Sequence, residues 1–280
     1  MKILAMGDFH GHAPKGLKDF VAKNNIDSII SPGDFTDAEK TRKIIFRYYN
    51  EKKPWYEIIG MKKAREIIRE EKETTKKFLS MLNKLEIPVY IIPGNAESLR
   101  PTKLSKDYYY RLIEDYSNII NVHKKVLSLG NYQILGFGGY GPKPEIKVDI
   151  FGKTFTKKMK EKIDNKRNNI NKLFHKTEPE RTIFLGHDMP YNTNLDVVTY
   201  SGAPETVKGK HIGDGVLREK IEQYQPLLFI GGHMHEHQGQ AKIGKTIVVN
   251  PGYGREGKAA VIELNDSKPR IEKIRFVRIK

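Results

Sequence analysis

Five short apolar runs in this 280-residue chain each end in a turn that carries His, Asp or Asn beside glycine. The turns are Gly7-Asp8-Phe9-His10, Gly33-Asp34-Phe35-Thr36-Asp37, Gly94-Asn95-Ala96-Glu97, Gly186-His187-Asp188 and Gly232-His233-Met234-His235. The runs before them are Ile3–Met6, Ile26–Ile30, Pro88–Ile92, Thr182–Leu185 and Leu227–Ile230. They are too apolar to leave a face in water, so they read as buried strands. A helical segment, Leu17–Asn24, separates the first two, and this strand–helix–strand start predicts an α/β fold. In open α/β sheets the ligand crevice lies outside the carboxyl ends of the strands. Five turns far apart in sequence can therefore meet at one place, and glycine lets each turn sharply beside a ligand. Singly each turn is commonplace: Gly-Asp after a strand serves as an ordinary turn or helix cap. His-x-His is more specific, since alternate residues of extended chain point the same way. Together, at five strand ends, the turns predict a metal site.

The remaining pattern supplies the frame. Residues 38–86 read as helical with a break at Pro54, and Ile58, Met61, Ala64, Ile67, Ile68, Phe78, Leu79 and Leu82 recur near helical spacing. A further helix begins near Asp107 and continues through Leu112–Asn118. Val126–Leu129 and Tyr132–Phe137 form a strand pair around Gly130-Asn131. Lys153–Lys176 is helical and strongly basic, Val216–Tyr224 is a helix, and Thr246–Val249, Ala259–Leu264 and Ile271–Ile279 close the chain as strands. Without repeats or a Ser/Gly linker, the expectation is one domain over residues 1–280 with helical insertions at about 38–86 and 141–180.

Composition narrows the chemistry. The chain has no Cys, which excludes a disulfide scaffold, an iron–sulfur cluster, a thiolate zinc site and a Cys nucleophile. A metal must then use His, Asp, Glu or Asn. No run approaches the roughly 18 to 20 apolar residues of a membrane helix, and the apolar start is too short for a signal peptide. A soluble, cytoplasmic protein without membrane contact is expected. Fifty Lys and Arg against 34 Asp and Glu give a formal charge of +16. That surplus suits an acidic partner such as nucleic acid. It equally suits the solvated, Lys-rich helix faces of thermophile-like proteins. There is no P-loop and no Gly-x-Ser-x-Gly elbow, and Gly136-Phe137-Gly138-Gly139-Tyr140-Gly141 reads as a backbone turn near the site. Tyr108-Tyr109-Tyr110 reads as a partly buried helix rather than a base-stacking run.

In order, the five turns resemble the calcineurin-like metallophosphoesterase superfamily. Its blocks run Asp-x-His, Gly-Asp-x-x-Asp, Gly-Asn-His-Asp/Glu, a His, then Gly-His-x-His. Val249-Asn250-Pro251-Gly252 resembles the strand and turn that follow them. Ala38-Glu39 after Asp37 departs from the Arg-Gly of the protein Ser/Thr phosphatase branch, so the prokaryotic phosphodiesterase-like branch fits better. The resemblance implies a four-layer α/β/β/α sandwich of two mixed β-sheets flanked by helices. It implies two divalent metal ions, one held by Asp8, His10, Asp34 and His235, the other by Asp34, Asn95, His187 and His233. Asp34 bridges them; Mn is preferred, with Fe, Zn, Ni or Co as alternatives. It also implies hydrolysis of a phosphate ester, foremost a phosphodiester, by in-line attack of a hydroxide bridging the ions. Nucleotides and nucleic acid are the candidate substrates. A nuclease of the same superfamily and a catalytically weak metal-binding scaffold are the alternatives.

One position departs from the pattern. Ala96 stands where the third block carries a His that is thought to stabilise the transition state or protonate the leaving group. Asp37, that His's usual partner, and His12 are therefore candidates for a catalytic role beside Asp34 and Asn95. His12, His211 and His237 are candidates to replace the missing imidazole. His211, His237 and Tyr140 are the expected substrate-binding residues.

Overall fold

The computed structural model describes residues 1–48, 51, 53–98, 108–143, 156–203 and 205–280. In chain order the elements are β1 (Lys2–Ala5), α1 (Leu17–Asn24), β2 (Ser28–Ser31), α2 (Glu39–Arg47), α3 (Trp55–Ile58), α4 (Met61–Asn83), β3 (Val89–Ile91), α5 (Asn95–Ser98), α6 (Tyr108–Ile113) and β4 (Ile119–Asn121). They continue with β5 (Lys125–Leu129), β6 (Tyr132–Phe137), α7 (Lys157–Phe174), β7 (Thr182–Gly186), α8 (Gly215–Tyr224), β8 (Leu228–Ile230), β9 (Gly239–Ile243), β10 (Thr246–Asn250), β11 (Lys258–Leu264) and β12 (Ile271–Arg278). One sheet of six strands has the order β12-β11-β1-β2-β3-β4, and a second of six has β5-β6-β7-β8-β10-β9. Both are mixed: β1 to β4 run parallel beside an antiparallel β11 and β12, and β6, β7, β8 and β10 run parallel between antiparallel edges.

Period-two alternation explains why the central strands are apolar throughout. Leu4, Ile29, Val89, Ile91, Ala259 and Val261 face the outer helices, joining Leu17 and Val21 of α1, Phe78, Leu79 and Leu82 of α4, and Leu112 of α6. Their neighbours Ile3, Ala5, Ile30, Tyr90, Ala260 and Ile262 face the second sheet and meet Ile134, Ile183, Leu185, Leu228, Ile230 and Val249. On the far side Leu135, Phe184, Phe229 and Val248 pack on Ile163, Ile170 and Phe174 of α7 and on Val216, Leu217 and Ile221 of α8. The order of layers is thus helix, sheet, sheet, helix, as expected. A one-residue slip of any of these strands would exchange the two buried faces, which fixes register.

The helical stretch before β3 divides at Pro54 as read, into α2 before it and α3 and α4 after it. On α4 the buried positions Ala64, Ile68, Glu71, Thr75, Phe78 and Leu82 recur every three or four residues. Glu71 is buried there because its carboxylate accepts the Thr41 N–H (2.8 Å) and hydroxyl (2.7 Å), fastening α2 to α4. Thr156 caps α7, its hydroxyl accepting the Met159 N–H. The expected start of that helix at Lys153 and the residues 144–155 of the second insertion lie outside the described residues, as does Asp107.

Three segments differ from the sequence reading. The helix expected to run to Asn118 ends at Ile113; Asn118 is instead held by Asn83 (N–H to Oδ1 and Nδ2 to O, both 2.8 Å) in the turn before β4. β4 itself is too short to show a pattern. β9 is an edge strand with Gln240 and Lys242 exposed, so it carries no apolar run. Among the described residues no helix is long and apolar enough to cross a membrane.

Candidate metal centre

The five turns come together at the carboxyl ends of β1, β2, β3, β7 and β8. A hydrogen bond between the sheets fastens them: His187 Nδ1–H donates to the Pro32 carbonyl at 2.8 Å. Asp8, His10, Asp34 and His233 all have φ between 45° and 68°, the left-handed region that L-residues rarely occupy. Such strain persists only where surroundings over-determine it, and it clusters at functional sites. Here each is held. Asp8 N–H donates to the Gly33 carbonyl and His10 N–H to the Asp34 carbonyl, both at 2.9 Å. The His233 N–H donates to the Asp8 carboxylate at 3.1 and 3.2 Å. Asp34 N–H donates to Glu97 Oε2 at 3.1 Å, and the same buried carboxylate takes the Gly94 and Thr36 N–H groups at 2.7 Å each. Gly94 has to be glycine, since a Cβ there would overlap Asp34 Oδ1.

Two groups of candidate ligand atoms lie on either side of the Asp34 carboxylate. Asp8, His10, Asp34 and His235 each offer an atom within 4.8 Å of the others. Within it, His10 Nε2 lies 3.6 Å from Asp34 Oδ2 and 3.3 Å from His235 Nε2, and His235 Nε2 lies 3.4 Å from Asp8 Oδ1. On the other side His187 Nε2 lies 3.6 Å from Asp34 Oδ1, and Asn95 Oδ1 lies 2.9 Å from His187 Nε2 and 2.7 Å from His233 Nδ1. The Pro32 carbonyl can only accept, so it fixes the His187 proton on Nδ1 and leaves a lone pair on Nε2. An Asn oxygen facing that nitrogen is satisfied by a cation held by both, by a second proton on the imidazole, or by turning the amide about. Turned, the Asn95 nitrogen donates to both imidazoles at the same distances and to Asp34 Oδ2 at 3.1 Å. With its oxygen inward, Asn95 joins His187, His233 and Asp34 as a set of oxygen and nitrogen donors of the kind a divalent ion takes.

Electrostatics divide the cluster: His10, His233 and Asp8 are held in ligating forms, whereas against burial the charges of Asp34 and Asp8 raise His187, and the hydrogen bond and charge of Asp8 raise His235. Burial pushes His10 down to about 4 and His233 to about 3, so both are neutral imidazoles at pH 7. Burial opposes ionisation of Asp8, but the hydrogen bond and charge of His235 outweigh it and hold the carboxyl at about 2. Burial raises Asp34, and Asp8 adds to this against the pull of His187. A buried carboxylate that is costly to ionise alone is one that a divalent ion would compensate.

The other predicted residues are placed as follows. Tyr140 is beside His233, with ring centroids 5.7 Å apart. His12 is exposed and its Nδ1–H donates to the His10 carbonyl at 2.9 Å. His237 Nε2–H donates to the Val197 carbonyl at 2.6 Å. Asp37 accepts the Glu39 N–H (3.2 Å) at the start of α2, and its own N–H donates to Thr75 Oγ1. Ala96 is buried and its N–H donates to Asp34 Oδ1 at 2.7 Å, so the backbone at this position orients the Asp34 carboxylate while its methyl group offers no proton. His211 pairs with Asp196 at 2.7 Å.

Five contributors were not assigned from sequence. Glu97 was visible in its turn, but its three N–H partners come from two strand ends. Tyr253 stacks on His235 (4.2 Å, 12°), immediately after the Asn-Pro-Gly turn. Lys143 and Asp188 form a buried ion pair of 2.7 Å, with Asp188 Oδ1 3.9 Å from His233 Nε2. The Pro32 carbonyl has no side-chain signal at all.

Fold and site together are those of a two-sheet α/β sandwich with His and Asp clustered at its strand ends. The chain belongs to the metallophosphoesterases of the calcineurin superfamily, whose profile it matches over residues 1–274. An uncharacterized protein of Methanocaldococcus jannaschii is 26% identical over 255 residues, covering 90% of this chain and 88% of its own. One crystal structure superposes over 100% of this chain and 99% of its own, with a TM-score of 0.68 and 24% identity. A dimetal phosphatase from Danio rerio does so at 0.50 and 13% identity, covering 100% and 99%. These structural likenesses concern the fold.

Proposed function

We propose that the protein is a dinuclear metal-dependent phosphoesterase that acts on phosphodiesters. The observation that carries this reading is the Asp34 carboxylate, with His10 Nε2 3.6 Å from one oxygen and His187 Nε2 3.6 Å from the other. Asp8, His10 and His235 would complete one site, and Asn95, His187 and His233 the other. When bound, such a pair of ions supplies Lewis acidity and acidifies a water. The donors are oxygen and imidazole, which suits Mn as well as Fe, Zn, Ni or Co.

The residues do the rest. The strained turns fix the ligand atoms before substrate arrives, and the Glu97 bonds keep the Asp34 turn from relaxing. Two divalent ions against two ligand carboxylates leave a surplus of about two positive charges. An attacking hydroxide and a diester monoanion neutralise that surplus between them, whereas a monoester dianion overshoots it. Lys143 does not alter this count, because Asp188 neutralises it. Tyr253 and Tyr140 flank the two sides, on His235 and His233, where a substrate's organic groups would lie.

The test is hydrolysis of bis(4-nitrophenyl) phosphate by chelator-treated protein resupplied with Mn, Fe, Zn, Ni or Co, with bound metal counted by mass spectrometry. The reading expects metal-dependent turnover, two ions per chain, and loss of both in Asp34→Ala. No turnover with any of the five metals, or one ion per chain, would overturn it. Single-stranded DNA, RNA and cyclic nucleotides as substrates then separate nuclease from small-diester activity.

A further inference from the structure

Loop 190–213 carries a carboxylate–imidazole pair that no part of the metal centre uses. Asp196 is fully buried and gripped from several directions. Its Oδ1 accepts the Thr193 N–H (2.7 Å) and hydroxyl (3.3 Å), and its Oδ2 accepts the N–H groups of Asn192 (3.1 Å) and Gly213 (3.0 Å). Gly213 permits this grip, since a Cβ there would come within 2.6 Å of Asp196 Oδ2. Oδ1 also takes the Nδ1–H of His211 at 2.7 Å. The edge of Tyr191 packs near the same ring, 5.8 Å between centroids. The imidazole is thus fixed in place and tautomer, with a third of its side chain exposed (34%) and Nε2 as its outward nitrogen.

The pair is tied to both sides of the centre. The carbonyl of the next residue, Ile212, accepts from Lys143 Nζ at 2.7 Å, and Lys143 in turn bonds Asp188 beside His233. On the other side Val197 pairs with His211 through a β-bridge, and the Val197 carbonyl receives the His237 Nε2–H. The backbone at 211–212 is therefore linked to Lys143 on one side and, through Val197, to the 233–237 turn on the other. A leaving alkoxide needs a proton, and the other candidates are committed differently. His10, His187, His233 and His235 face the ligand cluster, His237 spends its Nε2–H on Val197, and His12 adjoins the ligand His10 and has no carboxylate partner among the described residues.

We propose that His211, positioned by Asp196, protonates the leaving oxygen, which makes alkoxide-leaving phosphodiesters the substrate class. This rests on the phosphoesterase reading above. In the step, a hydroxide oxygen bonds to phosphorus as the bond from phosphorus to the leaving oxygen breaks. The bond's electron pair goes to the leaving oxygen, which takes the Nε2 proton of the His211 imidazolium. His211 is left neutral with its proton on Nδ1 toward Asp196, and water restores the Nε2 proton after an alcohol and a phosphomonoester depart. Asp196 is a positioning residue.

The experiment compares metal-loaded wild type with His211→Asn, His211→Gln and Asp196→Asn on methyl aryl phosphates whose leaving phenols range from 4-nitrophenol to phenol. For His211→Asn the loss should grow along the series, from a few-fold to about 10²-fold, the range of general-acid catalysis. His211→Gln should behave alike, and Asp196→Asn should show the same steepening at smaller amplitude. Bound metal should stay at the wild-type count in all three, which separates proton donation from damage to the centre. Parallel dependences on leaving-group pKa in wild type and both His211 variants would overturn the assignment of His211. Absence of metal-dependent hydrolysis in wild type, even for the nitrophenyl ester, would instead overturn the phosphoesterase reading.

Discussion

Glu97→Gln tests whether the strained turns are held from outside the ligand set. The wild-type carboxylate receives three buried N–H groups, Thr36 on Oε1 and Gly94 and Asp34 on Oε2. An amide keeps one acceptor oxygen. In its better orientation it retains the Gly94 and Asp34 bonds and turns an NH2 against the Thr36 N–H. One charge-assisted bond is lost, one buried donor is unpaired and two bonds become neutral, a total of roughly 2–4 kcal/mol. At roughly 2–4 °C per kcal/mol for a chain of this size, the melting midpoint should fall by about 5–15 °C. The looser Asp34 turn should also bind metal less well, so the upward shift of the midpoint on adding Mn should shrink. Differential scanning calorimetry with and without Mn measures both. A midpoint within about 2 °C of wild type together with an undiminished Mn shift would refute the reasoning, because a drop of that size is under 1 kcal/mol.

Three further outcomes are expected. His123 sits beneath the Gly138 turn, accepting its N–H on Nδ1 at 3.1 Å, and burial lowers it to about 3. Between pH 6.5 and 3 the unfolded chain binds the extra proton, so this contribution is complete above 6.5 and is lost as pH falls; urea titrations should show wild type losing stability on acidification faster than His123→Gln, and parallel profiles would count against it. Lys143→Met strands the buried Asp188 carboxylate and should cost about 3–5 kcal/mol, largely recovered by adding Asp188→Asn, and a single variant losing under about 1 kcal/mol would contradict the buried pair. Ala96→His should raise turnover on alkyl phosphate esters more than on aryl esters; the same change for both would mean that the added imidazole donates no proton.

Much of the fold was legible because burial wrote it into local pattern. The central strands are apolar on both faces since each lies between a helix layer and another sheet, and α1 and α8 carry clear helical spacing. What escaped had no such imprint. β4 is three residues long, β9 is a polar edge, and Asn118, at the end of the expected 107–118 helix, is held instead by Asn83 of α4. At the site, the seven candidate ligands were legible because strand-end turns keep their residues in short, ordered blocks. Their supporting groups were not, since hydrogen bonds such as those from Thr36 to Glu97 or from His187 to Pro32 join residues 61 and 155 positions apart.

The sequence by itself determined most of the elements, the alternation that seats each central strand between two cores, and the strand-end turns that carry the candidate ligands. Those depend on neighbours within a few residues. Only the tertiary structure decided that Asp34 turns one oxygen to His10 and the other to His187, that four site residues are held with positive φ, and that Asp196 fixes the tautomer of His211. Each of these is set by a partner on another strand or loop. Backbone strain and proton position are properties of such contacts, and no local run of residues specifies them.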